Sequence, residues 1–438
     1  LKKIGFPVFA SILLAAHFSR VQNDWLAMAC LLSPFLLLVK RRWILMVYQT
    51  YLIIGGIVWI ARIVDLAQMR QNEGRPWLRL AIILSVVTVY TILSALVLSS
   101  KKIQKRYSLE GAEDGERRYW PSYASFLLTL VLLSVVHLKV LPPVLLLERF
   151  LPGTGPVEIG LLAIYAAWIT EIMLDAKRSS KTRTLIWSLF SGVFFAQFIL
   201  GLSGFEKFMM TGKLHLPIPA MIIAGPVFRG SGFLMLILFL STAIVIGAAW
   251  CSHLCYIGAW DNLLSRRIRR PKDLPRWSSP ARIGILLSVV LAALVFRTAG
   301  MAPATATIIA VLYGIAGVAL MILISRKNGV MTHCTVYCPI GLLANLIGKL
   351  NPFRIRFTEA CDDCGACQSS CRYNALNENH VRQRKPGLSC TLCGDCVGSC
   401  PRGALRYKLF GFSAQTARTV FIVMAISLHA LFIGVARL

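Results

Sequence analysis

Acidic residues are scarce in this 438-residue chain: 19 Asp and Glu stand against 47 Lys and Arg, a formal net charge of +28. Long polar stretches are lacking as well. Hydrophobic residues make up 56% of the chain and the mean hydropathy is +0.66, which excludes an ordinary water-soluble protein and points to many membrane spans. No Gly-x-x-x-x-Gly-Lys-Ser/Thr phosphate loop occurs, and no Gly-x-Gly-x-x-Gly opens a strand–helix unit. Nucleotide hydrolysis and nicotinamide binding therefore have no support. No cleavable signal sequence is evident, and the first apolar stretch reads as an anchor because further spans follow it. The positive charge sits in short loops between apolar runs. Membrane topology and contact with lipid headgroups account for it, and no nucleic-acid partner is expected.

Cysteine, by contrast, is plentiful: of 13, twelve fall in metal-type spacings, and Cys30 stands alone in an apolar stretch as a packed core residue. Residues 361–400 carry Cys361, Cys364, Cys367 and Cys371, then Cys390, Cys393, Cys396 and Cys400. This is the C-x2-C-x2-C-x3-C run of a bacterial two-cluster ferredoxin, present twice; in such proteins the fourth cysteine of each run ligates the other cluster. One 4Fe-4S cluster would use Cys361, Cys364, Cys367 and Cys400, and the other Cys390, Cys393, Cys396 and Cys371. A pair of zinc sites would leave the x3 cysteine without a role. Thiolate-bound clusters need a reducing compartment, so this face of the protein is expected in the cytoplasm.

Apolar runs of helical length fall near 4–18, 25–39, 43–64, 78–98, 121–140, 157–175, 184–202, 231–250, 281–298, 305–325 and 416–436, which gives eleven candidate spans. One set of alternate loops carries 22 Lys and Arg against 7 in the other, and the excess marks the first set, with the ferredoxin stretch, as cytoplasmic. The expected fold is an all-α polytopic membrane protein of about eleven transmembrane helices. A small cytoplasmic α+β bacterial-type 2×4Fe-4S ferredoxin domain is inserted before the last helix. The divisions are 1–202 (about seven N-terminal helices), 203–230, 231–350 (a transmembrane core), 351–408 (the ferredoxin domain) and 409–438 (a C-terminal helix). The segment 203–230, with Lys213, His215, Pro217, Pro219 and Pro226, is apolar yet broken by proline. It reads as an external re-entrant or interfacial segment. It is either a packed loop or one wall of a site for a quinone or a docking partner.

The chain also repeats itself. Cys251, Cys255, Ile257, Gly258, Asn262 and Leu263 recur as Cys334, Cys338, Ile340, Gly341, Asn345 and Leu346, a shared C-x3-C-x-I-G-x3-N-L displaced by 83 residues. Each C-x3-C aims two sulfurs in one direction. Two such turns facing each other across a pseudo-dyad offer four thiolates, enough for a third iron–sulfur cluster. The alternative is a redox-active dithiol pair whose thiolates are favoured by neighbouring Arg and Lys. His253 lies inside the first pair and His333 immediately precedes the second, as ligands, as hydrogen-bond donors to sulfur or as interfacial polar residues. His17, His137 and His429 lie in or near spans, where interhelical hydrogen bonding is a simpler role than paired haem ligation. Glu171 and Asp175 suit proton uptake or, more simply, pairing with Lys177 or Arg178. Arg382, Arg384 and Lys385 form a basic loop that could steer an acidic redox partner.

The arrangement of residues 230–408 resembles the membrane-bound polyferredoxins of the NapH, NosR and CcoG group, which carry two C-x3-C(P) motifs before a 2×4Fe-4S domain. Tyr256 replaces the proline after the first pair, and Pro339 keeps it in the second. Arg372 stands where proline often follows the fourth ferredoxin cysteine. The resemblance implies clusters on the eight cysteines and a paired motif on Cys251, Cys255, Cys334 and Cys338. It also implies electron transfer between the quinone pool (menaquinone or ubiquinone) or a membrane partner and cytoplasmic redox partners, within an oxidoreductase complex of the bacterial or archaeal inner membrane. No catalytic residue is assigned. The rival readings are a thiol-active reductase of a metal or disulfide substrate and an assembly or anchoring subunit with structural clusters.

Overall fold

The computed structural model describes residues 4–107, 113–140, 144–208 and 216–435. Lys213 and His215 of the proline-broken segment lie outside these, as do the loop residues 108–112 and 141–143. The chain divides into two units, Leu1–Glu171 and Ile172–Leu438. Among the described residues, nine helices are long and apolar enough to cross a membrane. Arg42–Asn72, Leu78–Leu98 and Tyr119–Lys139 lie in the first unit, and Gly155–Met173 runs through the boundary. Ala176–Leu202, Leu234–Leu254, Ser278–Thr298, Pro303–Asn328 and Ala414–Val435 belong to the second. Leu287 and Leu291 on one of these helices are 63% and 62% exposed, so their faces need lipid rather than water as solvent.

Two of the eleven expected spans fall short. The first is Gly5–Arg20, a helix of 16 residues. At 1.5 Å per residue it extends roughly 24 Å, less than a hydrocarbon core of roughly 30 Å. The second, Asp24–Leu38, is a shorter apolar helix whose last part, Ser33–Leu38, tightens into a 3₁₀ turn at Pro34. Within this unit Cys30 is buried beside Leu14 and Trp59, as a packed residue should be. The His17 ring lies 4.8 Å from that of Trp59, and the His137 ring lies against Gly155. Glu171 accepts from Arg41 Nη1 at 2.9 Å and Trp43 Nε1 at 3.1 Å, so its partner is neither Lys177 nor Arg178. Asp175 does pair with Arg178, at 3.4 Å.

The second unit is built on the repeat. Helix Leu234–Ile246 stops at Gly247, whose φ of +66° a side chain resists, and resumes as a π-helical turn, Trp250–Leu254. The matching turn is His333–Tyr337. A cysteine in extended backbone follows each, and then a helix, Tyr256–Ser265 or Pro339–Ile347. The exchange is reciprocal, since each of these helices packs on the π-helical turn of the other copy. After the repeat, β1 (Arg354–Phe357) pairs antiparallel with β2 (Leu405–Lys408), setting Arg354 opposite Lys408 and Phe357 opposite Leu405. This two-stranded sheet closes the cysteine-rich stretch at both ends. It is secured to helix Ala414–Val435 by Tyr407, whose ring lies 4.9 Å from that of Phe421.

Candidate metal centre

The cysteine-rich stretch repeats its own backbone. The glycine after the second cysteine of each run, Gly365 or Gly394, has φ of +71° or +79° and opens a short helix, Ala366–Ser370 or Asp395–Ser399. These turns gather the thiols into two sets. Burial, and then the neighbouring Cys361, Cys400 and Cys364, push the Cys367 thiol up to about 11. Burial, and then Cys393, Cys390 and Cys371, raise that of Cys396. The last cysteine of each run thus lies with the other run's thiols. Its sulfur accepts an amide hydrogen bond from four residues on, Ala375 N to Cys371 Sγ and Ala404 N to Cys400 Sγ, both 3.3 Å. Cys371, Cys390, Cys393 and Cys396 line one cavity, together with Tyr373 and Asp395.

This donor chemistry fits a 4Fe-4S cluster in each set. A single tetrahedral zinc, with bonds of about 2.3 Å, needs its sulfurs about 3.8 Å apart. Among the described residues no three His, Cys, Asp or Glu side chains gather closely enough for one ion, and none of the thirteen cysteines is in a disulfide.

The C-x3-C cysteines form a third set. Burial, and then Asp261, Cys255, Cys338 and Cys251, raise the Cys334 thiol well above its ordinary range. Burial pushes Cys255 up to about 12 and Cys338 to about 11, against the opposing influence of the amides of Gly258 and Ile257 or Gly341 and Ile340. The π-helical turns place these groups. Cys255 N donates to Trp250 O at 3.1 Å and Cys338 N to His333 O at 2.8 Å, each five residues back. The repeated glycines are needed where helix meets turn, for a Cβ on Gly341 would stand 2.3 Å from Cys334 O and one on Gly258 2.9 Å from Cys251 O. Tyr256 and Pro339 both occupy the first helical position, where a missing N–H is no loss. Tyr256 stacks on Phe194 at 3.9 Å instead of supplying a proline ring. Fully buried Asp261 accepts the Cys334 amide at 3.0 Å, and burial lifts its carboxyl to about 6. Thiols raised in this way are poorly prepared for thiol exchange, which favours depressed values, whereas metal binding displaces their protons.

The three sets lie in series. Cys334, Cys371 and Cys393 pack against one buried group that includes Trp187, Met331 and Tyr373. Tyr373 Oη donates to Cys251 O at 3.3 Å and Trp187 Nε1 to Cys255 O at 2.7 Å. Fully buried Arg183 reaches Asp395 with Nη2 at 2.8 Å and Nε at 3.3 Å, and Ser252 O with Nη1 at 3.0 Å. Arg266 Nη2 joins Asp395 at 2.6 Å. Burial alone would raise the Asp395 carboxyl, but the two guanidiniums hold it below the ordinary carboxylate range. The set of Cys371, Cys390, Cys393 and Cys396 is therefore the inner one. The set containing exposed Cys364 is the outer one, rimmed by the pairs Asp362–Arg402 and Asp363–Arg384.

Arg183, Asp395, Asp261, Trp187 and Tyr373 are the site residues that cysteine spacing does not reveal. Asp395 has a signal in its place inside Cys393-Gly-Asp-Cys396, but Arg183 looks like one more loop charge. Arg372 has a role of its own where proline was expected: its Nη1 donates to the carbonyls of Ile268 at 2.6 Å and Gly329 at 3.0 Å. His253 is buried, with Nδ1 3.0 Å from Ser252 Oγ, and His429 Nδ1 donates to the His253 carbonyl at 3.1 Å, an interhelical bond. Arg382 pairs with Glu378, while Arg384 also donates to Cys361 O at 3.2 Å, so the basic loop lies over the outer set.

Residues 228–275 and 307–358 each match the 4Fe-4S binding domain family. The two matched stretches fall on the two halves of the C-x3-C repeat and end before Cys361. Together with the thiol sets and the apolar helices, this defines an iron–sulfur protein with a membrane-type helical body. The chain is similar to the electron transport protein YccM of Escherichia coli, 26% identical over 273 residues that cover 54% of this chain and 72% of that protein. It is likewise similar to the methylamine utilization ferredoxin-type protein MauN of Paracoccus denitrificans, 26% identical over 214 residues, 45% of this chain and 70% of that protein. No solved structure matches it.

Proposed function

We propose that this chain is an integral membrane electron-transfer subunit, carrying electrons between a carrier within the membrane and a redox partner in the cytoplasm. The observation behind this reading is the serial arrangement of three four-cysteine sets, joined through Tyr373, Trp187 and Arg183. Bound 4Fe-4S clusters supply one-electron exchange, with potentials that depend on hydrogen bonds to sulfur and on solvent. The protein's part is to hold and tune. Ala375 and Ala404 donate to ligand sulfurs, and the membrane-edge thiols are packed away from water. The names of the two relatives, an electron transport protein and a ferredoxin-type protein, agree with this role. The loop charges favour the bacterial or archaeal inner membrane with the clusters on the cytoplasmic side. The exposed outer set suits contact with another subunit of a redox complex.

A thiol-active reductase is the weaker reading, because burial raises Cys255, Cys334 and Cys338 rather than lowering them. Iron and acid-labile sulfide analysis with EPR tests the proposal. Three clusters give about twelve irons per chain, and Cys251→Ser with Cys334→Ser lowers this to about eight. About eight irons in the native protein, with the membrane-edge thiols freely alkylated, would remove the third cluster. Zinc without labile sulfide would overturn the whole reading.

A further inference from the structure

Helix Ser278–Thr298 turns most of its surface outward and buries Ser278, Arg282 and Ala293. The arginine is the costly one of the three. Arg282 is 9% exposed, and its Nε and Nη2 are buried with no hydrogen-bond partner. A cation this deep in a membrane-type helix is tolerated only against a compensating charge. Its own helix does not supply one, since Arg282 lies near the N-terminal end, where the dipole is positive. Asp261, the buried carboxylate of the membrane-edge set, is taken up by Cys334 N at 3.0 Å and by Ser325. Packing brings Arg282 to a thiol instead. Its helix lies on the turn His333–Tyr337 and on helix Pro339–Ile347, and the turn Trp250–Leu254, which carries Cys251, lies on that same helix. Arg282 and buried Cys251 are within reach of each other's charge.

We propose that Arg282 is the counter-charge of a 4Fe-4S cluster on Cys251, Cys255, Cys334 and Cys338, and that it raises the reduction potential of that cluster. This deepens the electron-transfer reading and rests on it. Neutral thiols give the guanidinium no anion to face. Metal binding displaces the thiol protons, and four thiolates leave the loaded centre negative. An added electron makes it more negative, so a fixed cation nearby stabilises the reduced state more than the oxidised one. Arg183 cannot act in this way on the inner set, because Asp395 largely cancels its charge at 2.8 Å. Arg282 has no such partner, and burial leaves its charge little screened by salt. A lipid phosphate cannot take the place of the cluster, because Nε and Nη2 have almost no accessible surface.

The test is a redox titration of the full chain in nanodiscs, with dithionite as reductant and EPR as the readout. The signal of the membrane-edge set is the one lost in the Cys251→Ser, Cys334→Ser variant. In Arg282→Met, that signal alone should fall in midpoint potential. Its reduction becomes about tenfold less favourable, a shift of about 59 mV for one electron. Arg282→Lys keeps the charge and should stay close to the native value. A second measurement covers the case in which Arg282→Met loses the centre. In the Cys251→Ser, Cys334→Ser background the guanidinium has no cluster to face, so Arg282→Met removes an uncompensated buried charge and should raise the thermal unfolding midpoint. A residue kept for packing alone would lower it there. An unmoved potential at full iron content, an equal fall in Arg282→Lys, or a lower unfolding midpoint in the serine background would overturn the proposal. Iron content separates the two claims. About eight irons in the native protein would end the third cluster, and this role with it, whereas about twelve with an unmoved potential would end this role alone.

Discussion

Arg183 and Asp395 are 212 residues apart in the chain and meet in a site with almost no access to water. Two charges buried together are tolerable only because each is bonded several times over. Removing one leaves the other stranded, a loss of about 3–5 kcal/mol, whereas replacing both with apolar side chains is often nearly neutral. Asp395→Leu alone should therefore lower the thermal unfolding midpoint of the purified protein sharply. The double variant with Arg183→Met should recover much of that loss. A double variant no better than the single one would show that the pair does more than neutralise itself. The two sets into which the eight cysteines of residues 361–400 gather could be expected from the sequence, because their spacing is local. Arg183 could not, because a charge near the start of an apolar helix reads as a solvated end, and its partner is set only by the fold.

Each π-helical turn inserts one extra residue before its second cysteine, so that the thiol ends at the start of the next helix. Such turns are uncommon and often mark functional sites. The C-x3-C repeat and its glycines could be read from the sequence, but the π geometry could not, since it depends on a carbonyl five residues back being free to accept. The glycines make the element testable. Gly341→Ala places a methyl 2.3 Å from the Cys334 carbonyl, so the turn must shift. The variant is expected to lose the membrane-edge iron, about four atoms per chain, and to keep about eight in the ferredoxin stretch. Unchanged iron would show that the turn yields without disturbing its thiols. The two N-terminal apolar runs were also legible as helices. Their ends were less legible, because hydropathy does not register where Asn23 caps a new helix or Pro34 tightens one.

At the scale of the whole molecule, all twelve metal-type cysteines fall in the unit Ile172–Leu438, as do Arg183, Arg282 and Tyr373. A fragment beginning at Ile172, expressed in membranes, should then carry the same iron, labile sulfide and EPR signals per chain as the full protein. Loss of the outer-set signals alone would contradict this division of labour. The sequence conveyed the membrane body and the cysteine stretch as separate pieces. The contacts that join them could not be read from it, because Tyr373, Trp187 and Ser252 look like ordinary packing residues until their partners are known.

The anchoring of the inner cysteine set carries a consequence for biogenesis. Asp395 is clasped by Arg183 and Arg266, Ser252 Oγ donates to Thr391 O at 3.1 Å, and Arg418 of helix Ala414–Val435 donates to the carbonyls of Met173 and Leu174. These bonds hold the inner set, with its buried Cys396 and partly buried Cys371, Cys390 and Cys393, against the helical body. A cluster held by this set would then have to be loaded before helix Ala414–Val435 is seated. The seating of helix Ala414–Val435, through Arg418, would then be the step that fixes the set in place, and a chain that seats it first would hold empty thiols.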